Sequence, residues 1–126
     1  MAGCGRIDSL SKIENPDILM FTKIMKWVHA VDPVHFDKPV AGVGPGIAFA
    51  QNMLIENKNK KVKIGLIPCA VGGTSVNVWQ RGGYDKVTKT YPYDDAIKRV
   101  MTAAKDGIVK GIIWHQGESD NSTPCL

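Results

Sequence analysis

The sequence predicts an α/β domain with parallel βαβ geometry, and two observations carry that expectation. Apolar stretches of strand character alternate with segments of helical spacing, in the order helix, strand, loop, helix, strand. The two later apolar runs each end in a glycine-bearing polar cluster, Gly72-Gly73-Thr74 and Gln116-Gly117. Polar groups just past the carboxyl ends of buried strands stand where open α/β sheets bind ligands. The chain has 126 residues, 44% hydrophobic and 22% charged, enough for one domain around one modest core.

The early elements rest on turn chemistry. Residues 1–17 close on Asn15-Pro16-Asp17, a turn signal. Ile18-Leu-Met-Phe21 follows as an apolar run, continued by Ile24, Met25, Trp27 and Val28 with mixed spacing. Both periods fit in part, and the early stop at Asp32-Pro33 favours a pair of short strands over a helix. Residues 38–46 form a loop rich in glycine and proline. Pro45 suits the first turn of a helix, where its missing N–H costs nothing. That helix runs to about Asn57, with Ile47, Ala50, Gln51, Leu54 and Ile55 along one face.

A strand is expected over 61–68, from Val62, Ile64, Leu66 and Ile67, with Pro68 closing it. The glycine loop at its end gives way to an irregular stretch carrying Trp79, Arg81 and Tyr84. Asp94 or Asp95 is expected to cap a second helix, with Ile97, Val100, Met101 and Ala104 on its buried stripe and Asp106-Gly107 at its end. The last strand, 109–114, is apolar up to Trp114 and breaks abruptly into His115-Gln-Gly-Glu-Ser-Asp120.

Charge and cysteine content exclude some classes of function. The net charge is +4, and much of it comes from Lys58, Lys60, Lys61 and Lys63. No aromatic residue interleaves with that cluster, so it reads as a solvated turn and not as a nucleic-acid patch. No apolar run is long enough to span a membrane, and the opening residues contain no signal-peptide apolar core. Three cysteines with no CxxC pair argue against a zinc knuckle and a disulfide framework. Cys69 reads as a small core residue. Cys4 has no base near it in sequence.

In parallel βαβ geometry the Gly72-Gly73 loop and Gln116 lie at the same sheet edge. One offers backbone N–H groups and the other a side-chain amide. Two converging neutral donors suit an oxyanion hole. Other candidates are weaker. Ser119 sits in Gly117-Glu-Ser-Asp-Asn121, near to a nucleophile elbow, but Asn121 replaces the last glycine and no helix pattern follows. Ser75 reads as bonding its own turn. Asp32-Pro-Val-His35 has the spacing of some acid/base pairs, yet lies in a proline-rich connection and reads as a turn aspartate and a packed histidine. His29 reads as structural, and strand alternation turns His115 away from the site. Glu118 and Asp120 have no His or Cys partner at ligand spacing, so they make a poor metal site.

Three segments together resemble one known family. Gly42-Val-Gly-Pro-Gly-Ile-Ala-Phe-Ala50, Ile64-Gly-Leu-Ile-Pro-Cys-Ala-Val-Gly-Gly-Thr74 and Trp114-His-Gln-Gly-Glu-Ser-Asp120 resemble the sialate O-acetylesterase-like domain of carbohydrate esterase family six, its plant members most closely. The resemblance implies a flavodoxin-like three-layer α/β/α fold of the SGNH hydrolases and a serine ester hydrolase acting on acetylated carbohydrate. It assigns the oxyanion hole to Gly73 and Gln116, and substrate contacts to Gly72, Thr74 and Glu118. It implies no cofactor, no metal, no nucleic acid and no membrane, and leaves compartment and oligomeric state open.

The resemblance also sets an expectation about extent. The family's first motif resembles Gly-Gln-Ser-Asn-Met-Ala-Gly-Arg-Gly, whose serine is the nucleophile, whereas this sequence enters at Met1-Ala-Gly-Cys-Gly5 with Cys4 in place of arginine. The family's Asp-x-x-His comes near the end of a longer domain. Residues 1–126 are therefore expected to be a partial domain without its first strand and C-terminal part, carrying the oxyanion groups but neither nucleophile nor acid/base. Strands that lose a neighbour leave open edges, so the chain alone is expected to be poorly stable and inactive. A non-catalytic carbohydrate-binding or interaction remnant, and a hydrolase using Ser119, are the alternatives.

Overall fold

The computed structural model describes residues 3, 5–9, 14–57, 61–118 and 120–121. The readings placed on Cys4, Lys58, Lys60, Ser119 and Cys125 lie outside the described residues. Two compact units divide the chain, Ala2–Pro68 and Cys69–Leu126.

The first unit is a small sheet with a helix against it. Its strands are β1 (Ile18–Phe21), β2 (Trp27–His29) and β3 (Ile64–Leu66), and its helix is α1 (Pro45–Glu56). The apolar run 18–28 does form two short strands, joined in an antiparallel hairpin with Met20 opposite Val28. The turn between them closes through Thr22, whose hydroxyl accepts from the Lys26 N–H at 3.1 Å. On its other side β1 pairs with β3 in parallel, Leu19 opposite Gly65, so the sheet order is β2-β1-β3. Gly65 matters for packing here, because a Cβ at that position would lie 2.7 Å from the Trp27 ring.

Pro45 occupies the first turn of α1, as its chemistry predicts. Ile18, Ala30 and Ala50 form the buried core, with Met20, Ile47, Leu54, Ile64 and Leu66 packed against it. The helix therefore buries a narrower stripe than its sequence suggests. Ile47, Ala50 and Leu54 face the core, while Gln51 and Ile55 are exposed. Strands of three or four residues cover only that stripe. The strand expected over 61–68 narrows for its own reason to Ile64–Leu66, the residues level with Ile18, Leu19 and Met20 of β1, since unpaired backbone is not strand.

Among its described residues the second unit contains a 3₁₀ turn (Val76–Val78) and the helix α2 (Pro92–Ala103). Pro92 begins α2 after Tyr91. Asp94 and Asp95 lie inside the first turn instead of capping it, where their charge favours the helix dipole. The Asp94 carboxylate is used otherwise, accepting the Gly82 N–H at 2.9 Å. The buried face of α2 is Pro92, Arg99 and Ala103, and the expected stripe is displaced: Ile97 and Met101 are 45% and 66% exposed. Arg99 reaches Cys69, and this contact, invisible to an apolar periodicity, sets the rotation of the helix.

The strand expected over 109–114 does not form. Residues 108–116 carry no strand and no backbone–backbone hydrogen bond among the described residues. Ile108 and Ile112 are 79% and 84% exposed. A strand exists only through a neighbour's ladder, and no described residue of this unit belongs to a strand, so apolar content and β-propensity alone do not produce one. No helix among the described residues is long and apolar enough to cross a membrane.

Candidate active site: the glycine loop and the Gln116 turn

The two polar clusters read from the sequence meet within the second unit. Gln116 Nε2 donates to the Thr74 carbonyl at 3.0 Å and to Asp120 Oδ2 at 2.7 Å. Side-chain and loop contacts, and not a strand, bring the Gln116 amide to the glycine loop.

The glycine loop is built around Thr74, which is 4% exposed. Its hydroxyl donates to the Val71 carbonyl at 2.8 Å and accepts the Trp79 indole N–H at 3.0 Å. Those two bonds close the loop from both sides. Gly73 has φ +88°, a conformation that side chains with a Cβ rarely adopt. Gly73 is exposed, and its N–H makes no hydrogen bond among the described residues. Ser75 caps the following 3₁₀ turn by accepting from the Asn77 N–H at 3.3 Å, which agrees with a serine bonding its own turn.

Asp120 ties the second cluster to the first. Besides Gln116 it accepts the Val76 N–H at 3.0 Å. The Ser75 hydroxyl, the Gln116 amide and the Val76 N–H together hold its carboxyl below the usual carboxylate range. Aromatic contact adds to the same junction, with Trp79 and Trp114 in an edge-to-face pair at 5.1 Å between ring centroids. Sequence reasoning missed Asp120, Trp79 and Trp114 as parts of this assembly. The spacing of Asp120, four residues past Gln116 across a glycine with φ +128°, is the signal that could have pointed to it.

The other candidates fall elsewhere. His115 turns away from the Gln116 amide and pairs with Glu118 at 3.1 Å on the exposed side. Glu118 is therefore engaged with His115 and not with the glycine loop. In the first unit, Asp32 is buried and accepts the Gly44 N–H at 3.3 Å ahead of α1, the work of a turn aspartate. His35 is half-buried, and burial pushes its pKa down against the carboxylates of Asp37 and Asp32. His29 bonds Glu14 at 3.2 Å on β2. Burial raises the Cys69 thiol, with Arg99 opposing. Among the described residues no group of three or more His, Cys, Asp or Glu is placed to hold a metal ion.

An α/β chain in which a left-handed glycine loop meets a glutamine amide has the parts of an anion-stabilising site. Comparison with known proteins places it further. A family model described as carbohydrate esterase, sialic acid-specific acetylesterase, matches residues 1–125, and the chain belongs to that family. It is 37% identical over 110 residues to the probable carbohydrate esterase At4g34215 of Arabidopsis thaliana, a match covering 84% of this chain and 40% of that protein. The crystal structure of the Arabidopsis thaliana protein AT4G34215 superposes with a TM-score of 0.76 at 37% identity, covering 86% of this chain and 44% of that one. The chain thus spans less than half the length of the relative it matches.

Proposed function

We propose that this chain carries the oxyanion side of a carbohydrate O-acetylesterase that works through a serine nucleophile in a flavodoxin-like SGNH fold. Family membership and the identity to a probable carbohydrate esterase support the esterase reading. The observation that carries the site is the meeting of the Gly73-Thr74 loop with the Gln116 amide at 3.0 Å.

In this reading a serine hydroxyl attacks the acetyl carbonyl of an acetylated sugar while a histidine takes its proton. The carbonyl π electrons move onto oxygen, and the Gly73 N–H and the Gln116 amide meet that charge. Collapse breaks the carbon–oxygen bond to the sugar, whose oxygen leaves as an alkoxide and takes the proton from histidine; water, deprotonated by the same histidine, then releases acetate and restores the serine. The reading assigns the serine and histidine to no described residue of this chain. Gly72, Thr74 and Glu118 are proposed on the substrate side, and no metal or organic cofactor takes part.

Both Gln116 amide protons are engaged at rest, so one bond must be exchanged during the reaction. The bond to the Thr74 carbonyl is between neutral groups and worth about 0.5–1.5 kcal/mol net. A bond to an oxyanion is roughly twice as strong. The exchange is therefore favourable only as charge develops, which is when a donor accelerates the reaction.

The same engaged amide favours a second reading, a carbohydrate-binding module without chemistry. Acetate release from an acetylated xylo-oligosaccharide, followed by NMR, separates the two. The esterase reading expects acetate and labelling by a fluorophosphonate from a longer protein in which these residues are joined to the serine and histidine, and neither from residues 1–126 alone. Sugar binding by the longer protein with neither would support the module, and labelling lost on Ser119→Ala would move the nucleophile to that residue.

A further inference from the structure

Gln116 cannot serve as a defined donor unless something orients its flexible side chain, and Asp120 is the group placed to do so. One carboxylate oxygen, Oδ2, accepts from both Gln116 Nε2 at 2.7 Å and the Val76 N–H at 3.0 Å. Val76 lies three residues after Gly73, with the buried Thr74 between them. A single atom thereby joins the glutamine amide to the loop that presents the Gly73 N–H. Gln116 closes the same ring through the Thr74 carbonyl at 3.0 Å. We propose that Asp120 is a positioning residue that fixes the Gln116 amide relative to the Gly73 N–H, keeping the two oxyanion donors in register.

The proposal rests on the oxyanion reading above and adds a division of labour within the amide. When the Thr74 bond is exchanged for the oxyanion, the second N–H stays on Asp120. The nitrogen then pivots about a fixed anchor instead of sampling its rotamers. The anchor has an electrostatic cost, since a carboxylate lies one residue away from the developing negative charge. Asp120 is partly exposed, and water screens charges a few ångströms apart far more strongly than a protein interior does, which weakens that repulsion. Geometry is therefore expected to outweigh charge. The neutral isostere Asn, which retains an acceptor oxygen, should recover most of what Ala loses.

The test has two readouts, hydrogen exchange in the whole chain and hydrolysis by a longer protein that joins it to the serine and histidine of the proposed reaction. In ¹⁵N-labelled protein, Asp120→Ala should speed hydrogen exchange of both the Gln116 side-chain amide and the Val76 N–H, while Asp120→Asn restores much of the protection. On an acetyl ester, Asp120→Ala should lower kcat about 10- to 100-fold with little change in KM, as a donor displaced by roughly 1 Å can cost about 10²-fold. Asp120→Asn should return most of that rate. Unchanged exchange at Gln116 and Val76 in Asp120→Ala overturns the clamp. Faster exchange with unchanged kcat, or an Asn variant as slow as the Ala variant, overturns the positioning role. Absence of hydrolysis by the unsubstituted longer protein refutes the oxyanion reading itself, while the exchange data on residues 1–126 still decide whether the clamp exists.

Discussion

Replacing Thr74 by valine keeps the shape of the residue and removes the two hydrogen bonds that close the glycine loop. Thr74 is 4% exposed, so there is little access for water to replace them. The Trp79 indole N–H loses its acceptor at 3.0 Å, and the Val71 carbonyl loses its donor at 2.8 Å. Each such bond contributes about 1 kcal/mol net, and a buried group left unpaired costs about 1–3 kcal/mol. Trp79 is half-buried and recovers part of its loss from solvent, so the indole bond is worth roughly 0.5–1.5 kcal/mol. A tenfold change in an equilibrium corresponds to about 1.4 kcal/mol. The Trp79 indole proton should therefore exchange about 2- to 12-fold faster in Thr74→Val, by the same conversion. The assay is NMR of the three tryptophan indoles, of which Trp27 in the other unit is the internal reference. An unchanged Trp79 signal would refute the loop closure. Equal acceleration at Trp79 and Trp27 would mean that the substitution acts on global unfolding and not on the loop.

Further expectations follow from the same geometry. Gly73→Ala must hold a Cβ at φ +88°, at a cost of roughly 1–2 kcal/mol, and should lower kcat for acetyl-ester hydrolysis by a longer protein that supplies the serine and histidine, while leaving the far-UV circular dichroism intact. The carboxyl of Asp120 is held below the usual range by its three donors, and the Asp85 carboxyl by the Thr88 N–H and hydroxyl. The sign follows from linkage. A depressed folded pKa gives stabilisation that is present above the unfolded value of about 3.9 and lost as pH falls through the folded value. Protection of the Val76 and Thr88 amides should thus persist from neutral pH to below the ordinary carboxylate range, and a midpoint at or above it would contradict the assignment. Burial raises the Cys69 thiol more than Arg99 lowers it. Peptide-resolved alkylation at pH 8 should accordingly find Cys69 slower than an unhindered thiol, and faster alkylation would refute the burial argument.

Local chemistry made part of the fold legible in advance. Pro45 marked the start of α1, and the stop at Asp32-Pro33 separated two short strands from a helix. Where the outcome depended on a partner, sequence was less informative. The run 108–114 has the composition of a strand, but a strand needs a ladder, and composition does not reveal whether a neighbour is present. The face of α2 was misjudged because Arg99, which an apolar stripe does not include, is buried beside Cys69. Site residues divided in the same way. Gly73 and Gln116 were recognisable as potential donors from their residue types alone. Thr74 as the hub and Trp79 as its donor depend on contacts that no spacing rule encodes, while Asp120 was marked only by its place four residues past Gln116.

The central claim is that Gln116 stabilises the charge formed during acetyl-ester hydrolysis. The most direct measurement is the rate of acetate release from an acetylated oligosaccharide by a longer protein that joins these residues to the serine and histidine of the proposed reaction, and by its Gln116→Ala variant at matched folded concentration. Loss of one oxyanion donor should lower kcat about 10²- to 10³-fold with the fold retained. Equal rates for the two proteins, or no acetate release by the unsubstituted one, would contradict the account.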